Sequence, residues 1–281
     1  MKSQLNNALA FFQVVAIITN LSTFADAKIH FFFHVAKLLY FCITKFNIKM
    51  KHIFSLLAIC SLFIGCTTDY GNPTSKSYSV NGSFNGLNIS DAFSVTMSDQ
   101  VSSIIITVGE RAHDRLDLRI KDGSLHIGFR PGVTYMGDAI AIIPTCTLRN
   151  LDLSGASSFK GDLSGSTVNI DLSGASTYRG NIQASNIELD LSGASSASIT
   201  GYCDNTMDID LSGASNLHAI RLDATDVKGD MSGASTADIT CCDYLRVNLS
   251  GASKLTYGII SNSCVPIVRC EESGGSSVRE R

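Results

Sequence analysis

Five aspartates stand at nearly equal intervals in the second half of the sequence: Asp152, Asp171, Asp190, Asp210 and Asp230. Carboxylates are hard oxygen donors, and a row of them suits a divalent cation, calcium above all. If the row stacks on one face at the roughly 5 Å spacing of neighbouring strands, the like charges repel unless solvated, screened or bridged. The calcium-binding β-roll pattern Gly-Gly-x-Gly-x-Asp is missing from the sequence. The expectation is therefore that the side chains splay into water. Ca²⁺ on this column is the one ion kept in view, and no other cofactor is expected.

Other chemistry has less to work with. A serine recurs beside every one of these aspartates, but nucleophilic serine needs a base, and no histidine recurs with it. Beyond Cys66 the only histidines are His113, His126 and His218, in unrelated segments. No Gly-x-Ser-x-Gly elbow, zinc-type cysteine pairing or phosphate loop is present. Arg149, Arg179, Arg221 and Lys228 are dispersed, whereas a glycan-cleaving site would cluster Asp, Arg or Lys. No catalytic residue is assigned. Cys146, Cys203, Cys241, Cys242, Cys264 and Cys270 match no disulfide framework. They read as small core residues, with a Cys264–Cys270 staple on the final turn as the alternative.

The element that positions the aspartates is a repeat. Leu153-Ser154-Gly155-Ala156-Ser157 recurs from Leu172, Leu191, Leu211, Met231 and Leu249, and a worn copy starts at Glu272. A fixed period near twenty marks an array. Leu151, Ile170, Leu189, Ile209 and Val247 are apolar, an Asp or Asn248 follows, and then a Leu or Met, as in Leu189-Asp190-Leu191; that in-out-in order is strand periodicity. Each rung of about 19–20 residues thus reads as a strand, a corner and a second short strand. Gly155, Gly174, Gly193, Gly213, Gly233 and Gly251 are the expected corners, because glycine takes positive φ at little cost. The Ala after each is expected inside the bend. Phe159, Tyr178, Ala197, Leu217, Ala237 and Leu255 fall at one matched position of the second strand. One rung cannot bury its own apolar face, so stability comes from stacking. The fold class is all-β, a parallel β-helix with regular rungs over 151–281, and Glu272 marks a wetter last rung.

Residues 78–150 are less regular but β-rich. Asp122-Gly123 is a hairpin signal and equally suits a β-helix corner. The order of elements 84–97, 104–108, Arg119-Ile120-Lys121-Asp122-Gly123-Ser124-Leu125-His126-Ile127, Ala141-Ile142-Ile143-Pro144 and 151–157 resembles the head GIN domain family of auto-transporter adhesins. The resemblance covers nearly all of 78–281. It implies a right-handed parallel β-helix on secreted or lipid-anchored proteins of Gram-negative bacteria, and it supplies no site residues.

The rest of the chain concerns export. Met50-Lys51-His52, an apolar run over 53–64 and Gly65-Cys66 follow the grammar of a secretory signal. Phe63-Ile64-Gly65-Cys66 resembles a lipobox, so 50–65 is read as a lipoprotein signal peptide and Cys66 as the lipidated residue. Residues 66–77 read as a tether. Residues 1–49 hold a second export-like stretch and are read as a misassigned extension, a membrane segment being the alternative. Residues 1–65 contain six lysines and one acid, Asp26, so the remainder has 16 basic and 24 acidic residues, about −8. That balance argues against nucleic acid. The expected protein is lipid-anchored in the cell envelope, at the outer membrane, on either its surface or periplasmic side. Its expected role is a non-enzymatic binding or adhesion module whose partner is a glycan or envelope protein. The alternatives are a β-helix polysaccharide lyase or hydrolase, and a structural spacer.

Overall fold

The computed structural model describes residues 70–259 and 265–281. The expectations placed on 1–49, on the signal at 50–65, on Cys66 and on Cys264 lie outside the described residues.

The described chain is nearly all-β, wound into a β-solenoid of about six turns. Its first part holds β1 (Pro73–Tyr78), β2 (Gly86–Ile89), β3 (Phe93–Ser98), β4 (Ile104–Gly109), a 3-10 turn at Glu110–Arg115, β5 (Leu116–Lys121), β6 (Ser124–Phe129) and β7 (Ala139–Pro144). The regular part follows as β8 (Asn150–Leu153), β9 (Ser158–Lys160), β10 (Leu163–Leu172), β11 (Thr177–Leu191), β12 (Ser196–Leu211), β13 (Asn216–Met231) and β14 (Thr236–Leu249). It ends in β15 (Lys254–Ile259), β16 (Ile267–Val268), β17 (Glu271–Glu272) and β18 (Ser277–Glu280).

Parity decides which side chains form the core. β8, β10, β11, β12, β13 and β14 pair in parallel, with Leu153, Leu172, Leu191, Leu211, Met231 and Leu249 in one register. All six are buried, and the Asp or Asn before each is exposed. Glu272 continues the column beyond Leu249 and is exposed, which suits a terminal rung. The matched position of the second strand is also a single register: Phe159, Tyr178, Ala197, Leu217, Ala237 and Leu255. There the rings of Phe159 and Tyr178 stack, centroids 5.9 Å apart and planes within 9°.

Three features differ from the sequence reading. The two short strands expected per rung are one run of 14–16 residues in β11 to β14. The run turns its remaining corners at register shifts, such as Ala184/Asn186 and Cys203/Thr206, so no break in strand structure marks them. The tether was read through residue 77, but Pro73–Tyr78 is a strand paired antiparallel with β4. At the corner, the Ala expected inside the bend is exposed and the Ser after it is buried. Ala N–H is needed outside for the rung-to-rung ladder, as in Ala194 to the Gly174 carbonyl at 2.7 Å. Ser195 instead folds inward and donates to the Ser192 carbonyl at 2.8 Å.

The first part is not wound in chain order. β2 and β3 lie on β8 and β9 on one side and on β6 and β7 on the other, all in parallel. Residues 124–144 therefore form the last parallel rung at that end, and β5 on β6 and β4 on β7 cover it in antiparallel pairing. β5 and β6 make an antiparallel hairpin whose turn residues Asp122 (φ 53°) and Gly123 (φ 75°) both take positive φ. This selects the hairpin over the corner for Asp122-Gly123.

Candidate binding face

The strand before each Ser-Gly-Ala-Ser corner contributes to one outer sheet face. On it Asn88, Asp152, Asp171, Asp190, Asp210, Asp230, Asn248 and Glu271 share one register. The five predicted aspartates thus line up, with amides at both ends. Asn88 donates to Asp152, and Asn248 donates to Asp230 at 2.9 Å. Burial, then the charge of Asp171, pushes the Asp152 carboxyl up, against the Asn88 hydrogen bond and His126. Burial, then Asp210, Asp171, Asp208 and Glu188, pushes the Asp190 carboxyl up. Among the described residues no group of three or more His, Cys, Asp or Glu is placed to hold a metal ion.

A second column runs two residues earlier: Asn150, Asn169, Glu188, Asp208, Lys228 and Arg246. It changes sign along the stack. Asn169 donates to Asn150 at 2.9 Å, and Lys228 meets Asp208 at 2.8 Å. The two columns line an open groove of about 350 Å³ that includes Asn88, His126, Asp152, Asp171, Glu188 and Asp190. At the other end a pocket of about 220 Å³ is lined by Asp226, Lys228, Tyr244, Arg246, Ile267 and Arg269.

The histidines separate. His126 reaches the head of the acidic column because β6 lies beside β2. His218 lies 3.5 Å from Asp238 on the other face. His113 is buried and contacts the Tyr78 hydroxyl at 2.7 Å and Thr74 at 3.0 Å, beneath the first strand. No two of them converge. Arg149, Arg179 and Arg221 remain dispersed, but Lys228 does not: the fold brings it to Arg246 and Arg269. Arg246 was legible as the next member of the −2 position of the repeat. Arg269 holds the same place before Glu272 of the worn copy and was legible by that offset, whereas Asn88 was not, since it lies outside the regular copies.

The cysteines divide too. Cys203 and Cys241 are buried free thiols in an inward column, and burial pushes Cys241 up to about 11. Cys270 is a free thiol, so the Cys264–Cys270 staple does not form, while Cys242 is disulfide-bonded. The six corner glycines have φ between 69° and 74°.

A family model described as "Putative auto-transporter adhesin, head GIN domain" matches residues 83–258. Three crystal structures resemble the fold. A "putative adhesin" from Bacteroides fragilis has a TM-score of 0.64 at 14% identity, covering 75% of this chain and 97% of that one. A "putative lipid binding protein" from Parabacteroides distasonis scores 0.56 at 15% identity, covering 75% and 97%. A "putative adhesin" from the same species scores 0.56 at 22%, covering 76% and 99%. No curated protein matches the chain at a significant level.

Proposed function

The chain belongs to the head GIN domain family, and from that premise we propose that it is a non-catalytic adhesion module held in the cell envelope by lipid on Cys66. The observation that carries this reading is the register of the outer face. Like carboxylates stand in one column over five rungs, Asp152 to Asp230, which suits repeated weak contacts with a flat or repetitive partner and gains strength by multivalency. The acidic column does not hold unlike groups near one point, as a catalytic site needs. The recorded likeness to adhesins supports an envelope location. Among the described residues no helix is long and apolar enough to cross a membrane.

The partner class is a glycan or an envelope protein. Two experiments test the reading. Fatty-acid labelling of cells should mark the wild-type chain and not Cys66→Ala. Glycan-array and envelope-fraction binding should show broad, weak adhesion by the purified chain. Labelling that persists in Cys66→Ala removes the anchor, and absence of any surface binding removes the adhesion role.

A further inference from the structure

The acidic groove is not the most selective feature of the face. The pocket at the C-terminal end of the stack combines groups that the rest of the face keeps apart. Lys228 and Arg246 are paired in register on neighbouring strands. Arg269 follows directly, since Leu245 pairs with Val268 and the Arg269 N–H donates to the Leu245 carbonyl at 2.8 Å. Three cations thus lie side by side, two on neighbouring strands and one directly after β16, at about 4.8 Å per step. Like charges directly opposite one another across strands are destabilising. Only Lys228 has a carboxylate partner, Asp208; among the described residues Arg246 and Arg269 have none.

A carboxylate lies in the same pocket and does not neutralise them. The Asp226 side chain makes no ion pair or hydrogen bond among the described residues: its Oδ1 is buried without a partner, and its Oδ2 is the oxygen left open to the pocket. A donor delivered to Oδ2 therefore meets a carboxylate that nothing else satisfies. Tyr244 pairs in register with Asp226 and is 51% exposed, and Ile267, beside Tyr244 on the next strand, is 48% exposed. The pocket therefore offers an anion fork, a hydroxyl acceptor and a small apolar platform within about 220 Å³.

We propose that this pocket is a subsite for an acidic sugar residue, with Arg246 and Arg269 taking the carboxylate, Asp226 a ring hydroxyl, and Tyr244 with Ile267 the apolar face of the ring. Guanidinium binds carboxylate bidentately, which gives direction as well as charge. A neutral sugar leaves the arginines unmet. A bare anion leaves Asp226 and Tyr244 unused. A glycerophospholipid phosphodiester carries the same single charge as a uronate but presents no sugar ring to Tyr244 and Ile267. The proposal rests on the adhesion reading and specifies one chemistry within it.

The test is calorimetric titration of the purified chain with oligogalacturonate, its methyl ester, inorganic sulfate, and vesicles of anionic phospholipid. The acid should bind, and esterification should weaken it at least tenfold. Arg246→Gln with Arg269→Gln should weaken the acid at least tenfold, and Tyr244→Ala several-fold. Unchanged melting temperatures keep these losses local. Equal binding of acid and ester overturns the proposal. So does sulfate competing at equal concentration, or vesicles binding through the same arginines. Uronate binding that survives all pocket variants but is lost on neutralising Asp171, Asp190 and Asp210 overturns the pocket and leaves the adhesion reading standing. No binding to any glycan or envelope fraction overturns both.

Discussion

Gly193 lies against Gly174: a Cβ built on Gly193 would stand 2.5 Å from the Gly174 carbonyl oxygen, the same oxygen that accepts the Ala194 N–H at 2.7 Å. The contact repeats from Gly174 to Gly251, and each of these glycines also has positive φ. Two independent reasons therefore exclude a side chain, the left-handed backbone and the backbone of the rung beneath. Gly193→Val should destabilise by roughly 3 kcal/mol or more, combining strain with lost ladder bonds. Ser196→Val, on a half-exposed outer position, should stay within about 0.5 kcal/mol. Chemical denaturation of both variants measures this, and equal midpoints would refute the corner.

The buried serines give a sharper comparison. Ser195 Oγ donates to carbonyls at 2.8 Å and 3.1 Å, whereas Ser215 Oγ, at the same corner one rung on, has no partner. Ser195→Ala should cost about 1 kcal/mol. Ser215→Ala should be neutral or stabilising, because it removes an unmet polar atom. The same denaturation experiment decides it. A larger loss at Ser215 than at Ser195 would contradict the hydrogen-bond assignment.

The acidic column predicts a pH dependence. The folded state raises the Asp190 carboxyl above its ordinary value, so its charged form opposes folding at neutral pH. That opposition is released as pH falls through the raised folded value. Asp190→Asn should stabilise the chain at pH 7 by a few tenths of a kcal/mol, since the group is well exposed and screened. The gain should shrink as pH falls through the raised folded value and be gone below roughly pH 4, the ordinary carboxylate range, and it should also shrink in high salt. Melting curves at both pH values measure it, and a gain that grows on acidification would reverse the argument.

Charge on the face should act as a sum. Asp190→Asn alone should change surface binding little, while neutralising Asp171, Asp190 and Asp210 together should change it clearly. If calcium bridges the column, the triple variant should also lose any calcium dependence.

The reading as a non-enzyme is tested by a polysaccharide depolymerisation screen on the purified chain. No turnover is expected. Turnover abolished by a single substitution, Lys228→Gln or any one aspartate, would make the chain an enzyme.

The period, the parity and the glycine corner were legible in the sequence because they are local and repeated. Leu-Asp-Leu fixes which side faces in, and one glycine per rung fixes where the chain turns. The alignment of Asp152 through Asp230 then follows from stacking alone. Tertiary structure decided what depends on pairing between distant segments. Only the parallel pairing of β6 with β2 brings His126 to Asn88 and the acidic column. The corner shows the same division on a smaller scale. The sequence marks Ser-Gly-Ala-Ser as a turn, but which small residue faces inward depends on the rung beneath. The Gly174 carbonyl claims the Ala194 N–H on the outside, and Ser195 is left to point into the core and satisfy its hydroxyl on its own turn.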